Sequence, residues 1–253
     1  AGPRVLEHMV DVVLYLEGER ISSLRLLRCE KNRFGSTQEV GVFEMHSSGL
    51  IEVQEPSSVL LKERLENVSG SAITCTLEGT RPLILEVQAL VTPSTFTSPR
   101  RLANGITFNR LLLVTAVLSK NSRLSLGAQD IVLNIAGGLR VEEPAADLAL
   151  ALAIASSYRD TPITPSLVAI GEIGLSGEIR AVSRYESRLK EAAKLGFARA
   201  ITPSLPYNDG SRNSAASIEK GIKVIELSTL NELLDLLRPK PSISNLQTVD
   251  EQL

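Results

Sequence analysis

Two cations, Lys31 and Arg33, stand on alternate positions of the run Lys31-Asn32-Arg33-Phe34-Gly35, between two stretches with strand-like alternation. In an extended backbone alternate side chains leave on the same side, so both charges would face one target. A phosphate suits them, with the guanidinium as a planar two-pronged donor and the ammonium as a point charge. A plain hairpin turn fits as well, with Asn32 and Gly35 supplying unusual backbone angles and both cations in water. The residues alone leave both readings open.

A second concentration of charge lies further on. Between Glu86 and Asp130 there is no acidic residue, while Arg100, Arg101, Arg110, Lys120 and Arg123 are present. The chain as a whole has a formal net charge of −2, so it is not a globally basic nucleic-acid binder and any such contact must come from local clustering. A basic stretch without base-reading motifs suits sequence-independent contact with the phosphates of DNA. The same cations could form a solvated face or answer acidic residues of a neighbouring subunit.

Other chemistry is poorly supplied. The only cysteines, Cys29 and Cys75, are far apart and have no Cys-x-x-Cys partner, so they read as reduced core thiols and cannot build a zinc site. Both histidines, His8 and His46, fall in the first part of the chain, which leaves the later part without a Ser-His-Asp triad. Ser187 and Lys190 share a helix face, but nothing near them suggests an oxyanion hole. Gly171, Gly174 and Gly177 recur at every third position between strand-like runs, which fits a hairpin turn and not a nucleotide loop. There is no Gly-Lys dipeptide, so no phosphate loop can offer stacked N–H groups and a lysine.

These residues must be carried by some scaffold, and the periodicity predicts which. Short strands are expected over 10–16, 22–29, 40–45 and 50–53, a meander at the edge of a sheet, too small to be stable alone. Glu55-Pro56-Ser57-Ser58 marks a boundary, and residues 56–69 read as a linker. Beyond it the pattern predicts a hairpin of 72–78 with 83–90 and a helix over 108–118 entered from a loop at Ser98-Pro99-Arg100-Arg101. A strand over 131–136 follows, then a helix from Pro144 to about Ser157 that is apolar nearly all round and should be buried. A hairpin of 168–173 with 177–181, a helix over 185–195, strands at 200–202 and 224–227 and a helix over 229–237 complete the domain, 70–238. Residues 239–253 read as a disordered tail. The fold class is α+β, with helices layered on a mixed sheet. Hydrophobic residues at 43% and charged residues at 22% fit an ordinary globular protein, and no apolar run is long enough for a membrane span. The opening Ala1-Gly2-Pro3-Arg4 has no signal-peptide pattern and no initiating Met, so a fragment or processed form is expected.

Two segments, Gly2-Pro3-Arg4-Val5-Leu6-Glu7-His8-Met9-Val10-Asp11 and Lys31-Asn32-Arg33-Phe34-Gly35, together resemble the RadA/Sms family of DNA-recombination ATPases. Gly171-Glu172-Ile173-Gly174-Leu175-Ser176-Gly177-Glu178 and Glu191-Ala192-Ala193-Lys194-Leu195-Gly196 resemble the Lon-type peptidase domain as it occurs in that family. The resemblance covers residues 2 to about 237. It implies that 1–55 are the terminal β-meander of a RecA-like α/β ATPase core and 70–238 a Lon-peptidase-like, ribosomal-S5-like domain. It implies a hexamer that uses ATP and Mg at subunit interfaces and binds single-stranded and branched DNA, working beside a RecA-type recombinase. Lys31 would reach the triphosphate of a neighbouring subunit and Arg33 would couple hydrolysis to DNA. The family's zinc finger and phosphate loop are absent from these residues. Bacterial members would be cytoplasmic, plant members chloroplast or mitochondrial.

The peptidase implication fails on its own chemistry. Lon peptidases use a serine in a Gly-Pro-Ser-Ala-Gly turn and a lysine that takes its proton. The stretch resembling that turn is Glu143-Pro144-Ala145-Ala146-Asp147, and the position resembling the lysine is Glu186. Ala145 has no hydroxyl to give, so this domain is expected to be proteolytically inactive and to work through its surfaces, in hexamer assembly and DNA contact. A pure oligomerisation scaffold is the alternative, and a peptidase with another nucleophile ranks last.

Overall fold

Alternation of apolar residues over the first part of the chain produces an antiparallel meander. A computed structural model describes residues 3–18, 23–122, 124–204 and 221–237. Helix α1 (Pro3–Met9) leads into strands β1 (Val12–Glu17), β2 (Leu24–Asn32), β3 (Val40–His46) and β4 (Gly49–Glu52), paired in sequential order. Leu24 and Leu26 of β2 and Val42 of β3 face inward and are buried, while β1 is largely exposed. The register of β1 against β2 shifts between Val13 and Leu14, which pair with Lys31 and Cys29. Glu30 is therefore the extra residue of a bulge, a device that re-aims the side chains beside it.

The expected linker is not bare chain. Pro56–Leu61 folds as helix α2, with Pro56 in its first turn and Pro56, Ser57 and Leu60 buried. Ser57 Oγ accepts the Ile84 N–H at 3.0 Å and donates to Glu191 at 2.9 Å, which ties this segment to the body of the protein.

The second sheet has seven strands: β5 (Ser71–Glu78), β6 (Arg81–Pro93), β7 (Arg101–Asn104), β8 (Gln129–Ile135), β9 (Leu167–Ala169), β12 (Arg199–Pro203) and β13 (Lys223–Leu227). Their order is β13-β12-β9-β5-β6-β8-β7. The pairs β13–β12, β12–β9, β9–β5 and β8–β7 are parallel, and β5–β6 and β6–β8 antiparallel, giving the mixed sheet the composition of elements predicts. A small hairpin, β10 (Glu172–Ile173) with β11 (Ile179–Arg180), stands apart.

Helices α3 (Phe108–Asn121), α4 (Asp147–Arg159), α5 (Tyr185–Lys194) and α6 (Leu230–Asp235) pack on this sheet. Alternating strand residues divide the apolar interior into two clusters. Ala72, Leu83, Leu85 and Val87 join α3, α4 and α6, whereas Ile73, Cys75 and Ile84 join α5. Leu24, Leu26, Val42 and Val53 belong to the first cluster, so the segments 1–55 and 70–238 share one core. The protein is thus an α/β structure built on a mixed sheet.

Three local expectations are corrected. Arg101 begins an edge strand parallel to β8 and is not part of a loop into α3, because residues 101–104 find paired partners at 131–134. Of the expected hairpin, residues 167–169 are drawn into the large sheet between β12 and β5, leaving only 172–173 to pair with 179–180. Pro144 opens a short 3-10 turn, Pro144–Ala146, before α4 begins. The predicted tail, 239–253, lies outside the described residues.

Candidate functional site

At Lys31–Arg33 the bulge directs the ammonium back to the first helix. Lys31 Nζ donates to the carbonyls of Glu7 at 2.8 Å and Val10 at 2.6 Å, capping the end of α1. The Arg33 backbone N–H donates to the Asp11 carbonyl at 3.1 Å, and its guanidinium lies 3.2 Å from the Asp11 carboxylate in an exposed pair. Both cations therefore address the same short segment, but through backbone and carboxylate oxygens. The turn is fixed by Asn32, whose Oδ1 accepts the Phe34 N–H at 3.0 Å, an Asx turn. Phe34, 82% exposed, projects beside Arg33.

Ala145 and Glu186, the positions expected to stand where a peptidase would carry its nucleophile and base, flank an ion pair with a buried arginine. Ala145 is 1% exposed, and its carbonyl accepts the Gly171 N–H at 2.8 Å. Glu186 occupies the first turn of α5. Two residues before Ala145 and two after Glu186, the chain places Glu143 and Arg188. Arg188 is fully buried, and its Nη1 and Nη2 donate to the two carboxylate oxygens of Glu143 at 2.6 and 2.7 Å. Its remaining donors reach the carbonyls of Cys75 and Ser183, and Glu143 also accepts the Leu77 N–H at 2.6 Å. Two-pronged geometry with two further carbonyl acceptors is what makes such burial tolerable. Burial pushes the Cys75 thiol up, so it is no nucleophile. Among the described residues no serine hydroxyl is hydrogen-bonded to a lysine or histidine.

Asp147, at the start of α4, is also fully buried. Its Oδ2 accepts the Ile173 N–H at 3.2 Å and its Oδ1 lies 3.3 Å from Arg110 Nε, though not in hydrogen-bonding geometry. Burial pushes its carboxyl up to about 7, against the pull of Ile173 and Arg110.

The basic stretch does not survive folding as one patch. Arg110 is turned to Asp147. Arg101 donates to the carbonyls of Leu126 at 2.7 Å, Arg100 at 3.0 Å and Gln129, and burial lowers its pKa. Asp130, outside the stretch in sequence, accepts the Arg100 N–H at 2.7 Å. Arg100 stacks its guanidinium 3.8 Å over the Phe96 ring and is exposed, as is Lys120 in the last turn of α3. Arg123 lies outside the described residues. Nearby, Leu90 and Leu102 flank Val132 in register on adjacent strands, and both leucines are more than half exposed.

Sequence reasoning missed three ion pairs that each have one buried member: Arg188 with Glu143, Asp147 with Arg110, and Glu78 with Arg28 at 2.5 Å. One signal was available: Arg188 falls in the apolar stripe of α5 with Leu189 and Ala192. As for cofactors, no group of three or more His, Cys, Asp or Glu side chains that could hold a metal occurs among the described residues. The sequence contains no Gly-Lys dipeptide either. No helix among the described residues is long and apolar enough to cross a membrane.

The family model described as subunit ChlI of Mg-chelatase matches residues 109–205. The chain is 53% identical over 236 residues to the DNA repair protein RadA of Streptococcus pneumoniae, covering 92% of this chain and 54% of that protein. It is 53% identical over 234 residues to the DNA repair protein RadA of Bacillus subtilis, covering 92% and 50%. Against the DNA repair protein RadA of Listeria monocytogenes the identity is 51% over 239 residues, covering 94% and 51%. The chain spans about half the length of these curated relatives.

Proposed function

Because this chain belongs to the RadA family of DNA repair proteins, we propose that it is the DNA-handling part of an ATP-driven recombination motor. In this reading residues 1–55 end the RecA-like core, residues 70–238 are a Lon-like domain without peptidase activity, and six copies form a ring. The substrates are single-stranded and branched DNA, the partner is a RecA-type recombinase, and the setting is the cytoplasm of a bacterium.

The observation that carries the reading is the turn that holds Arg33 and Phe34 side by side at the surface, fixed by Asn32. An exposed aromatic ring offers a stacking platform to any base, and the adjacent guanidinium offers two donors to a phosphate. Lys31 has a different task, at the triphosphate of the next subunit. To reach it the ammonium must exchange its two carbonyl partners at Glu7 and Val10 for phosphate oxygens. Apart from Lys31, the groups that hold ATP and Mg belong to other parts of the assembled protein.

Binding of an oligo-dT strand to this chain, followed by fluorescence anisotropy across a salt series, tests the reading. Affinity should fall steeply with salt, and Arg33→Ala and Phe34→Ala should each weaken it about tenfold or more. In the full-length protein, Lys31→Ala and Arg33→Ala should lower ATPase and strand-extension rates without loss of folding. Wild-type binding and wild-type rates in these variants reject it.

A second reading has its own support. Leu90 and Leu102 expose an apolar strip, while Arg101 and Arg110 are turned inward, which favours a domain that contacts neighbouring subunits and no DNA. A chain that self-associates but fails to bind oligo-dT even at low salt selects this reading.

A further inference from the structure

The turn at 31–35 lies close, through space, to the tip of the β5–β6 hairpin. Following the Asx turn at Asn32, Ser36 Oγ accepts the Gln38 N–H at 3.0 Å. The Gln38 carbonyl then accepts the Thr80 N–H at 2.9 Å, in the turn between β5 and β6. Gly79, at φ 61°, is pressed against the same carbonyl, so that a Cβ there would lie 2.0 Å from the oxygen. Only glycine permits both that backbone angle and that approach. Arg184 Nη2 donates to Gln38 Oε1 at 3.4 Å, adding a side-chain hold from just before α5.

The hairpin tip is gripped from a second direction. Arg28 of β2 lies 2.5 Å from Glu78 and 3.0 Å from Glu17. Glu78 is nearly buried, and burial raises its carboxyl pKa against the pull of Arg28. The tip Glu78-Gly79-Thr80 is thus held between β2 and the segment that precedes β3. Along the chain, Gly35 is separated from β5 by β3, β4 and α2; through space, Gln38 spans the gap.

We propose that residues 36–38, seated on Gly79 and Thr80, act as a strap that couples the 31–35 turn to the seven-stranded sheet. Displacing Lys31 from the end of α1 loosens the turn; Asn32 Nδ2, which donates to the Ser36 carbonyl at 3.5 Å, and the Ser36–Gln38 hydrogen bond carry that loosening along the backbone to the Thr80 N–H. The strap gives a change at the motif a mechanical path into the second half of the protein, as a packed element with two arrangements would. Its value for a motor rests on the functional reading above; its existence does not.

Amide hydrogen exchange on the 253-residue chain, without DNA or nucleotide, tests the strap in the wild type, Lys31→Ala, Gly79→Ala and the double variant. Lys31→Ala should speed exchange over residues 31–38 and, about tenfold, over 79–82 as well. Gly79→Ala should speed exchange over 36–38 and 79–82, and adding Lys31→Ala to it should change 79–82 no further. If Gly79→Ala does not fold, Ser36→Ala with Arg184→Ala loosens the same seat and must behave in its place. An effect of Lys31→Ala confined to residues before 36, no effect anywhere, or full additivity at 79–82 overturns the proposal. A chain that binds no DNA can still pass this test, and one that binds DNA can fail it, so the two readings stand or fall separately.

Discussion

The guanidinium of Arg188 holds both carboxylate oxygens of Glu143, at 2.6 and 2.7 Å, inside a protein whose Arg188 side chain is wholly shielded from solvent. This pair joins the turn that leads into α4 to the first turns of α5. A buried pair of this kind gains little over an apolar substitute, but half of it alone is costly, because an unpartnered charge remains in a poor solvent.

Arg188→Met should therefore destabilise the protein by about 3 kcal/mol, the low end for such a pair, since the partly exposed Glu143 would keep the Leu77 N–H and some water. In a domain of this size each kcal/mol moves the melting temperature by roughly 2–4 °C, so a fall of about 10 °C is expected by calorimetry. Glu143→Gln combined with Arg188→Met should recover most of that loss. Equal melting temperatures for single and double variants would show that the pair is not coupled.

Placing a hydroxyl at position 145 should not create peptidase chemistry. Ala145 is 1% exposed and its carbonyl is occupied by Gly171. Ala145→Ser, alone or with Glu186→Lys, should leave casein intact and take up no fluorophosphonate probe, at a stability cost of about 1 kcal/mol for burying the hydroxyl. Covalent labelling at position 145 would mean that solvent and substrate reach a place which is closed here.

Much of this architecture was legible because strands and helices announce themselves by period. The meander, the β5–β6 hairpin across Gly79-Thr80, the nearly all-apolar α4 and the final β13–α6 unit follow from alternation, from glycine and from helical periodicity. What stayed hidden depends on residues distant in sequence. A window free of acids between Glu86 and Asp130 looks basic, yet folding brings Asp130 to Arg100 and Asp147 to Arg110. Residues 168–173 read as one arm of a hairpin because local pattern cannot reveal that β12 and β5 stand on either side of 167–169. Helix α2 was missed because six residues carry too little periodicity to separate from a linker.

The divided fate of the cations gives a direct contrast. Arg100→Glu and Lys120→Glu change exposed charges and should weaken oligo-dT binding while lowering the salt slope, with melting temperature nearly unchanged. Arg101→Ala removes a guanidinium that closes β7 onto the turn before β8, so it should lower the melting temperature by several degrees. Anisotropy and calorimetry on the same three variants suffice. A loss of DNA affinity in Arg101→Ala at unchanged stability would return that residue to the binding surface.

Asp147 should make stability depend on pH in a direction opposite to that of most carboxylates. Its carboxyl is pushed up to about 7, above its ordinary 3.8, chiefly by burial, with Ile173 and Arg110 favouring the charged form and Glu172 opposing it. Between those two values the folded protein holds a proton that the unfolded chain has released. Stability contributed by this group is therefore greatest at low pH and drains away as pH rises toward 7, with a slope on the order of 1 kcal/mol per pH unit. Asp147→Asn keeps an oxygen for the Ile173 N–H and cannot ionise, so the difference in urea-unfolding free energy between variant and wild type should grow from about pH 4.5 to about pH 7 and then level off. A difference that is flat across this range would mean that Arg110, at 3.3 Å, outweighs burial and keeps Asp147 charged throughout.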